Sequence, residues 1–446
     1  MEGATVSTSG GLRRSIGPLQ AFSLVVGIII GASIFVQPSE ITTLVPWIPA
    51  ILLAWTAAGL LTMAGALICA ELSSAIPRAG GVYSFLRETM SPMVGFLWGW
   101  AMFWSVHTGI IAAVALVFAR YAVFFLPVGD EAVPAVAIGA VALVSAINYV
   151  GVQYGGRVQA AFTVVKIAAI AILIVAGLIL GAALPEHFVG SASGAESVTV
   201  SAFIRAVAAG LFAYGGWHMI AYAAEETVDP ERTVPRALIT GILVVVACYV
   251  ALNTVYLYVL PLDAVAQSTR VAADAADALV GSGGAGLMAA LVVVSAFGAL
   301  NGLVLSGPRL YFAMAEDGLL IRWLAGVHPR FRTPHRALVV QALWAAVLVA
   351  TGTYRALFTR VVFTEWIFFG LLAVGLIAIR RRPDYTPAYR VPGGWLIPAL
   401  FFAGSAVVVV NQIIAQPGAS AIGLLFVAAG LPVYYLWLSP RSSRGG

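Results

Sequence analysis

Long apolar segments separated by short polar ones run along almost the whole 446-residue chain. A helix that crosses a membrane needs about 20 mostly apolar residues, and the chain provides segments of that length again and again. The pattern predicts an all-α membrane protein with twelve transmembrane helices. The predicted spans are 17–41, 46–71, 92–126, 132–151, 158–184, 201–226, 236–261, 285–315, 336–354, 358–379, 394–414 and 418–438.

The polar segments between these spans are too short to hold a catalytic or regulatory domain. The sequence therefore predicts one integral membrane domain over residues 1–446. Arg13 and Arg14 precede the first apolar segment, but no small-residue cleavage site follows it. This segment is predicted to be a transmembrane helix and not a removable signal peptide.

The distribution of charged residues indicates how the chain is oriented in the membrane. Charged residues make up 10% of the chain and the net charge is +5. With a cytoplasmic N-terminus, most loop arginines fall on the cytoplasmic side, and the opposite side keeps Arg270, Arg355 and Arg360. This positive-inside bias predicts a plasma-membrane protein with both termini cytoplasmic. Topology explains the excess positive charge, and no nucleic-acid partner is expected.

Two glycine-bearing interruptions, at 31–35 and 214–218, lie within the first and sixth apolar spans. An unpaired backbone group in lipid costs several kcal/mol, so a helix is broken there only where the freed groups face protein, water or a ligand. Paired breaks in the two halves of a chain indicate a transporter's substrate site. They predict two inverted five-helix repeats, 17–184 and 201–380, with two helices appended at 394–438.

Six ordered motifs resemble the L-type amino acid transporters of the amino acid, polyamine and organocation superfamily, over about four fifths of the chain. The motifs are GIIIGASIFVQP (27–38), AELSSAIPRAGGVYSFL (70–86), VQAAFTVVK (158–166), FAYGGWHMIAYAAEETVDPERTVPRAL (212–238), SAFGALNGLVLSGPRLYFAMAEDG (295–318) and FTEWIFFGLLAVGLIAIR (363–380). The resemblance implies a LeuT-like fold and amino acid transport by alternating access, commonly as exchange.

The first break offers donors for an anion. Unwinding at Gly31, Ala32 and Ser33 exposes amide N–H groups at the positive end of a half-helix, which suits an α-carboxylate. The resemblance implies that this segment, with Ile34, binds the substrate carboxylate. The family usually has glycine where this chain has Ser33, whose hydroxymethyl group would either donate another hydrogen bond or crowd the site.

The second break offers acceptors. Carbonyl oxygens freed around Tyr214 and Gly215 can accept from an α-ammonium group, so the two breaks together can recognise a zwitterion. The resemblance implies that Phe212 is an aromatic gate over the substrate and that Trp217 shapes the side-chain pocket. His218 stands where the family commonly has asparagine. It would either tune selectivity and pH dependence or act as a hydrogen-bonding spacer.

Lys166 lies about eight residues into an apolar span, where a lysine costs roughly 2.5–3.5 kcal/mol and needs interior partners. The resemblance implies that it occupies the place of a sodium ion and bridges the first break to a hydroxyl in the eighth span, here Ser295. Transport is therefore expected to be independent of sodium. Deprotonation of a buried lysine is feasible, so proton coupling through Lys166 is a hypothesis.

Other polar residues in the spans have two interpretations. Glu365 would either mark a proton or substrate pathway or lie at the extracellular boundary paired with Arg360. Asn301 and His107 are expected to form hydrogen bonds between helices.

Three carboxylates at cytoplasmic helix ends are predicted to form ion pairs of the loops or inner gate. They are Glu71, Glu225 and Glu226, and the nearby arginines are Arg78, Arg232 and Arg236.

Neither break contains an acid or an arginine, so neutral amino acids are the expected substrates. The alternative is a polyamine or cationic amino acid carrier that uses Glu365 as counter-ion. The membrane segments show no metal-ligand cluster and no nucleophile with a base, so no enzyme activity, cofactor or metal is expected. Residues 127–131 lack the cysteine by which animal relatives bind a heavy chain, so no covalently linked subunit is expected.

Overall fold

The computed structural model describes residues 12–31, 33–180, 198–281, 283–353 and 361–438. Within these ranges the chain is helical, and its one extended pairing is an isolated bridge between Ile16 and Thr227. The helices are α1 (Pro18–Ile29), α2 (Gln37–Leu44), α3 (Ile48–Ala75), α4 (Val82–Thr89), α5 (Pro92–Ala101), α6 (His107–Val123), α7 (Val133–Val150), α8 (Val152–Leu180), α9 (Val200–Ala213), α10 (Pro230–Val259), α11 (Leu262–Gln267), α12 (Val271–Val280), α13 (Gly284–Glu316), α14 (His335–Thr351), α15 (Thr364–Ile379), α16 (Leu396–Ala415), α17 (Pro417–Ala428) and α18 (Gly430–Val433).

Nine helical segments of the described chain are long and apolar enough to cross a membrane, and α1, α14 and α15 are shorter apolar helices. The prediction of an all-α membrane protein is confirmed. Parts of four predicted spans, residues 32, 181–184, 354 and 358–360, lie outside the described residues.

Local sequence explains where several helices begin. Pro18, Pro92, Pro230 and Pro417 each occupy the first position of a helix, where the missing N–H costs nothing. The hydroxyl of Ser91, just before α5, accepts a hydrogen bond from the Val94 amide at 3.3 Å. Tight helix ends thus separate spans that lie close together in sequence.

Helix α1 lies at the centre of the bundle, against α8, α10 and α13. Its last turn approaches two glycines so closely that a Cβ at Gly216 or Gly302 would overlap Ile28. Small residues permit such close contact between membrane helices, where packing rather than hydrophobic exclusion holds the helices together. The broken part of the first span is therefore fixed between the sixth and eighth spans.

Pro308 inside α13 leaves one backbone carbonyl of that helix without its usual donor. Pro308 has no N–H for the Val304 carbonyl one turn earlier, and Gln341 Nε2 in α14 lies 3.4 Å from that oxygen. Nearby, His107 Nε2 in α6 lies 3.1 Å from the Leu303 carbonyl. His107 thus bonds between helices, as expected.

Candidate functional site

The first span is interrupted after Ile29, where α1 ends. A 3₁₀ turn over Ser33–Phe35 follows, and α2 begins at Gln37. The Gly31 amide donates to the Ile29 carbonyl at 2.7 Å instead of continuing the helix. The interruption lies at the predicted glycine. Ala32 itself lies outside the described residues, and Ile34 is fully buried.

The sixth span is interrupted after Ala213, where α9 ends. Gly216 has φ +92°, a left-handed conformation that glycine adopts without strain, and a 3₁₀ run over Trp217–Glu226 follows. The Gly215 amide donates to the Phe212 carbonyl at 3.1 Å and so closes a tight turn. This break also lies where the glycine pair predicts it.

Tyr249 in α10 connects the two breaks. Its hydroxyl lies 2.8 Å from the Ile29 carbonyl and 3.2 Å from the Ala213 carbonyl, which are the last carbonyls of the two half-helices. The Ser33 hydroxyl also approaches the Ala213 carbonyl, at 3.5 Å. A tyrosine has one proton to donate, so its hydrogen bond serves one break at a time. Sequence reasoning missed this residue.

Lys166, the one lysine of the chain, is fully buried beside the first break. Its Nζ donates to the carbonyls of Gly27 at 2.8 Å, Ile30 at 2.8 Å and Ser295 at 3.0 Å. The three donors of an ammonium group are thus all used. One detail differs from expectation. Lys166 bonds the carbonyl of Ser295, while the Ser295 hydroxyl donates to the Ile30 carbonyl at 3.0 Å.

A second set of polar side chains holds the N-terminal half of the first span. Gln159 Nε2 and the Thr163 hydroxyl, both in α8, donate to the Ser23 carbonyl at 3.2 and 3.1 Å. Asn301 Nδ2 in α13 donates to Gln159 Oε1 at 2.9 Å. The expectation that Asn301 bonds between helices is confirmed, and α8 contacts α1 at two levels.

His218 is 1% exposed and lies in an aromatic cage. Its ring centroid lies 5.1 Å from Phe369, 5.4 Å from Trp217, 5.5 Å from Tyr222 and 5.7 Å from Trp98. Neither ring nitrogen has a hydrogen-bond partner in the described part of the protein. A buried polar atom without a partner is costly, so these nitrogens are candidates to bind a ligand.

Two predicted site residues have different surroundings. Phe212, at the end of α9, is 41% exposed. Glu365 lies in the first turn of α15, and its Oε1 is buried without a hydrogen-bond partner among the described residues. The partner considered for it, Arg360, lies outside those residues.

Of the three carboxylates predicted to form ion pairs, Glu71 and Glu226 do so with other arginines than predicted, and Glu225 forms no ion pair among the described residues. Glu71 is fully buried and bonds Arg380, with a further hydrogen bond at 3.3 Å from the Tyr385 hydroxyl and one at 2.6 Å from the Val391 amide. Burial, followed by the negative charge of Glu71, raises the pKa of Tyr385. The predicted neighbour Arg78 pairs with other acids.

Glu226 likewise has an unpredicted partner. Arg309 Nε, two turns before the end of α13, lies 2.5 Å from Glu226 Oε2, and both side chains are at most 1% exposed. The Glu226 carbonyl accepts from the amides of Ser15 at 2.8 Å and Ile16 at 3.0 Å. The sequence signal for Arg309 is its charge inside an apolar span, because such a charge needs an interior partner.

A third cluster surrounds Asp317, just after α13. Asp317 accepts from the Tyr83 hydroxyl at 2.8 Å, pairs with Arg87, and lies 3.5 Å from Arg78. Burial and then the negative charge of Asp317 raise the pKa of Tyr83. The Glu225 carboxylate accepts from the Ala79 amide at 3.2 Å. Polar contacts between spans therefore hold this end of the bundle together.

The comparisons with known proteins identify the family. The amino acid permease family model matches residues 16–437. The chain belongs to this family. It is 35% identical to the serine/threonine exchanger SteT of Bacillus subtilis, over 95% of this chain and 97% of that protein.

Two animal relatives of this amino acid permease show similar coverage. The human b(0,+)-type amino acid transporter 1 is 31% identical over 96% of this chain and 88% of its own length. The rabbit large neutral amino acids transporter small subunit 2 is 30% identical over 96% of this chain and 82% of its own length. The permease is an L-type amino acid transporter in a membrane, not an enzyme.

Proposed function

We propose that this permease exchanges neutral L-amino acids across the plasma membrane without sodium, by alternating access. The proposal includes a LeuT-like arrangement with two inverted repeats, 17–184 and 201–380, followed by two further helices at 394–438. It also includes cytoplasmic termini. Most loop arginines lie on the same side of the membrane as the termini, and the arginine-rich side of a membrane protein is the cytoplasmic one.

The observation that carries the proposal is the position of the Lys166 ammonium. It lies among three carbonyls, two of them in the broken first span, at distances of 2.8–3.0 Å. Such a group of main-chain oxygens suits a cation, and an ammonium already supplies the positive charge. A bound sodium ion would have no electrostatic role there.

The two breaks would recognise the substrate by its backbone groups. Amides of the first break, at Gly31, Ala32, Ser33 and Ile34, would hold the carboxylate, and the Gly31 amide would give up its hydrogen bond to Ile29 for it. Carbonyls at Tyr214 and Gly215 would accept from the ammonium group.

Side chains of the sixth span would then set selectivity. Phe212 would close over the bound substrate and Trp217 would shape its side-chain pocket. His218, with both ring nitrogens unpartnered in the described protein, would contact a polar group of the cargo.

Exchange, rather than one-way transport, is proposed from the relatives. SteT of Bacillus subtilis is a serine/threonine exchanger, and it shares nearly the full length of this chain. A covalently bound subunit is not proposed, because residues 127–131 contain no cysteine.

A cationic amino acid or polyamine remains the second candidate cargo. Glu365 favours it, since one carboxylate oxygen is buried without a partner among the described residues. An intramembrane carboxylate often marks a substrate or ion pathway.

Uptake into proteoliposomes separates these candidates. The purified permease would be reconstituted with or without internal serine, and uptake of labelled serine and leucine measured in the presence of excess arginine or putrescine. We expect internal serine to accelerate uptake and neutral amino acids to compete. The second candidate would be favoured if only arginine or putrescine competed with uptake and if this competition disappeared in Glu365→Gln.

A further inference from the structure

An apolar groove lies on the outer surface of the bundle between α7 and α14. Its volume is about 470 Å³, and its lining includes Val141, Ala142, Ser145, Tyr149, Leu338 and Ala342. Neighbouring side chains, such as Leu143 at 55% and Leu343 at 63%, are exposed on the same two helices. In a membrane protein these side chains face the acyl chains of the bilayer.

The groove ends at an aromatic and basic cluster. The Tyr149 ring lies 5.4 Å from His328 and 5.8 Å from His335 between ring centroids, and the Thr333 hydroxyl donates to the Tyr149 carbonyl at 3.0 Å. The loop that carries these contacts also carries Arg330.

The charge around this end is of one sign. The sequence contains no acid from 132 to 185 or from 318 to 364. Besides Lys166, Arg355 and Arg360, the two stretches carry Arg157, Arg322, Arg330, Arg332 and Arg336. Within the described residues none of these arginines forms an ion pair with a carboxylate. Unneutralised arginines at the end of a membrane groove complement an anionic headgroup.

Ser145 supplies a polar atom to the groove near its basic end. Ser145 is 6% exposed, lines the groove one helical turn from Tyr149, and its hydroxyl has no hydrogen-bond partner in the described part of the chain. A serine hydroxyl can donate to an ester carbonyl, which lies between the phosphate and the acyl chain of a phospholipid.

We infer that this groove binds one anionic phospholipid, with its phosphate at Arg330 and Arg332, its ester region at Ser145 and an acyl chain along α7 and α14. The inference rests on the proposed topology, which places the basic end in the cytoplasmic leaflet, and not on the identity of the transported amino acid.

Native mass spectrometry tests this lipid site. The full-length, delipidated protein would be titrated with phosphatidylglycerol or phosphatidylcholine of identical acyl chains. We expect tighter binding of phosphatidylglycerol. The variant Arg330→Gln with Arg332→Gln should bind phosphatidylglycerol roughly 25-fold more weakly, because each arginine contributes about fivefold. Its affinity for phosphatidylcholine should not change. Ala342→Phe, which fills the groove, should weaken both lipids.

Matched controls keep the result specific. Arg381→Gln with Arg390→Gln removes the same charge from exposed positions of another loop, and Ala168→Phe adds the same ring to an exposed position of α8. Thermal melting would establish that each variant is folded. Equal binding of both lipids by the wild type would refute the site. Unchanged binding of phosphatidylglycerol by the variant Arg330→Gln with Arg332→Gln would refute it as well. The site would also be refuted if Ala342→Phe displaced a second copy of the chain or another helix from the groove, and if that displacement did not depend on the two arginines.

Discussion

At the scale of single residues, Lys166 determines more of the account than any other side chain. Its three hydrogen bonds, to Gly27, Ile30 and Ser295, join α8, the end of α1 and α13. A charge at this depth could be predicted from sequence, because a lysine in an apolar span needs partners. The sequence could not predict that Lys166 bonds the carbonyl of Ser295 and not its hydroxyl, since both atoms belong to one residue.

Replacing Lys166 by methionine should abolish most transport while leaving a folded protein. The variant removes a donor from three buried carbonyls. Ile30 keeps the hydroxyl of Ser295, and each carbonyl left unsatisfied costs about 1–3 kcal/mol. We expect amino acid exchange in proteoliposomes to fall at least about tenfold. Thr163→Val, one turn earlier in α8, removes a single neutral donor to Ser23 and should have a smaller effect. Equal rates in Lys166→Met and wild type would contradict this role.

At the scale of helices, the two breaks act together. Their positions followed from the glycines, because a left-handed residue and close helix contact both favour glycine at Gly216. The link between them did not follow, since Tyr249 is one of 15 tyrosines and nothing in its neighbourhood distinguishes it. Contacts between α10 and the ends of α1 and α9 exist only once the chain is folded.

Tyr249→Phe should slow exchange by roughly five- to tenfold. The change removes a hydroxyl that serves the Ile29 and Ala213 carbonyls, and a lost hydrogen bond costs about 0.5–1.5 kcal/mol. Tyr256→Phe is the matched control: it lies two turns along the same helix, is fully buried, and its hydroxyl has no partner in the described chain. If both variants slow exchange alike, the hydroxyl does not connect the breaks.

The Arg309–Glu226 pair also belongs to this scale, since it fastens the sixth span to α13. Glu226→Gln should lower the free energy of unfolding by about 3–5 kcal/mol, because it leaves the Arg309 charge buried without a counter-charge. The double variant Glu226→Gln with Arg309→Met should regain much of that loss. Thermal melting in detergent measures both, with the partly exposed Glu88→Gln as control at less than about 1 kcal/mol. No recovery in the double variant would exclude the charge as the cause.

At the scale of the whole molecule, the sequence predicted the class, an all-α membrane protein, but not the ion pairs at the helix ends. Length and hydropathy are properties of a segment, so they can be read locally. Glu71 and Arg380 are 309 positions apart, and their pairing depends on how the linker after α15 folds back under α3. The predicted arginine partners were neighbours in sequence, and proximity in sequence did not determine proximity in the bundle.

The proposed topology can be tested by labelling with a membrane-impermeant maleimide. In a background with Cys69→Ser and Cys248→Ser, Asp130→Cys should react in intact cells, and Asp384→Cys should react only after the membrane is opened. The physical reason is the arginine-rich composition of the loop at 380–390. The reverse pattern would place the termini outside.

The most direct test of the account is exchange in proteoliposomes with all sodium replaced by potassium or choline. Because the Lys166 ammonium lies among the three carbonyls that would suit a cation, we expect the same rate of neutral amino acid exchange with and without sodium. Exchange that stops when sodium is withdrawn, and returns when it is restored, would contradict it.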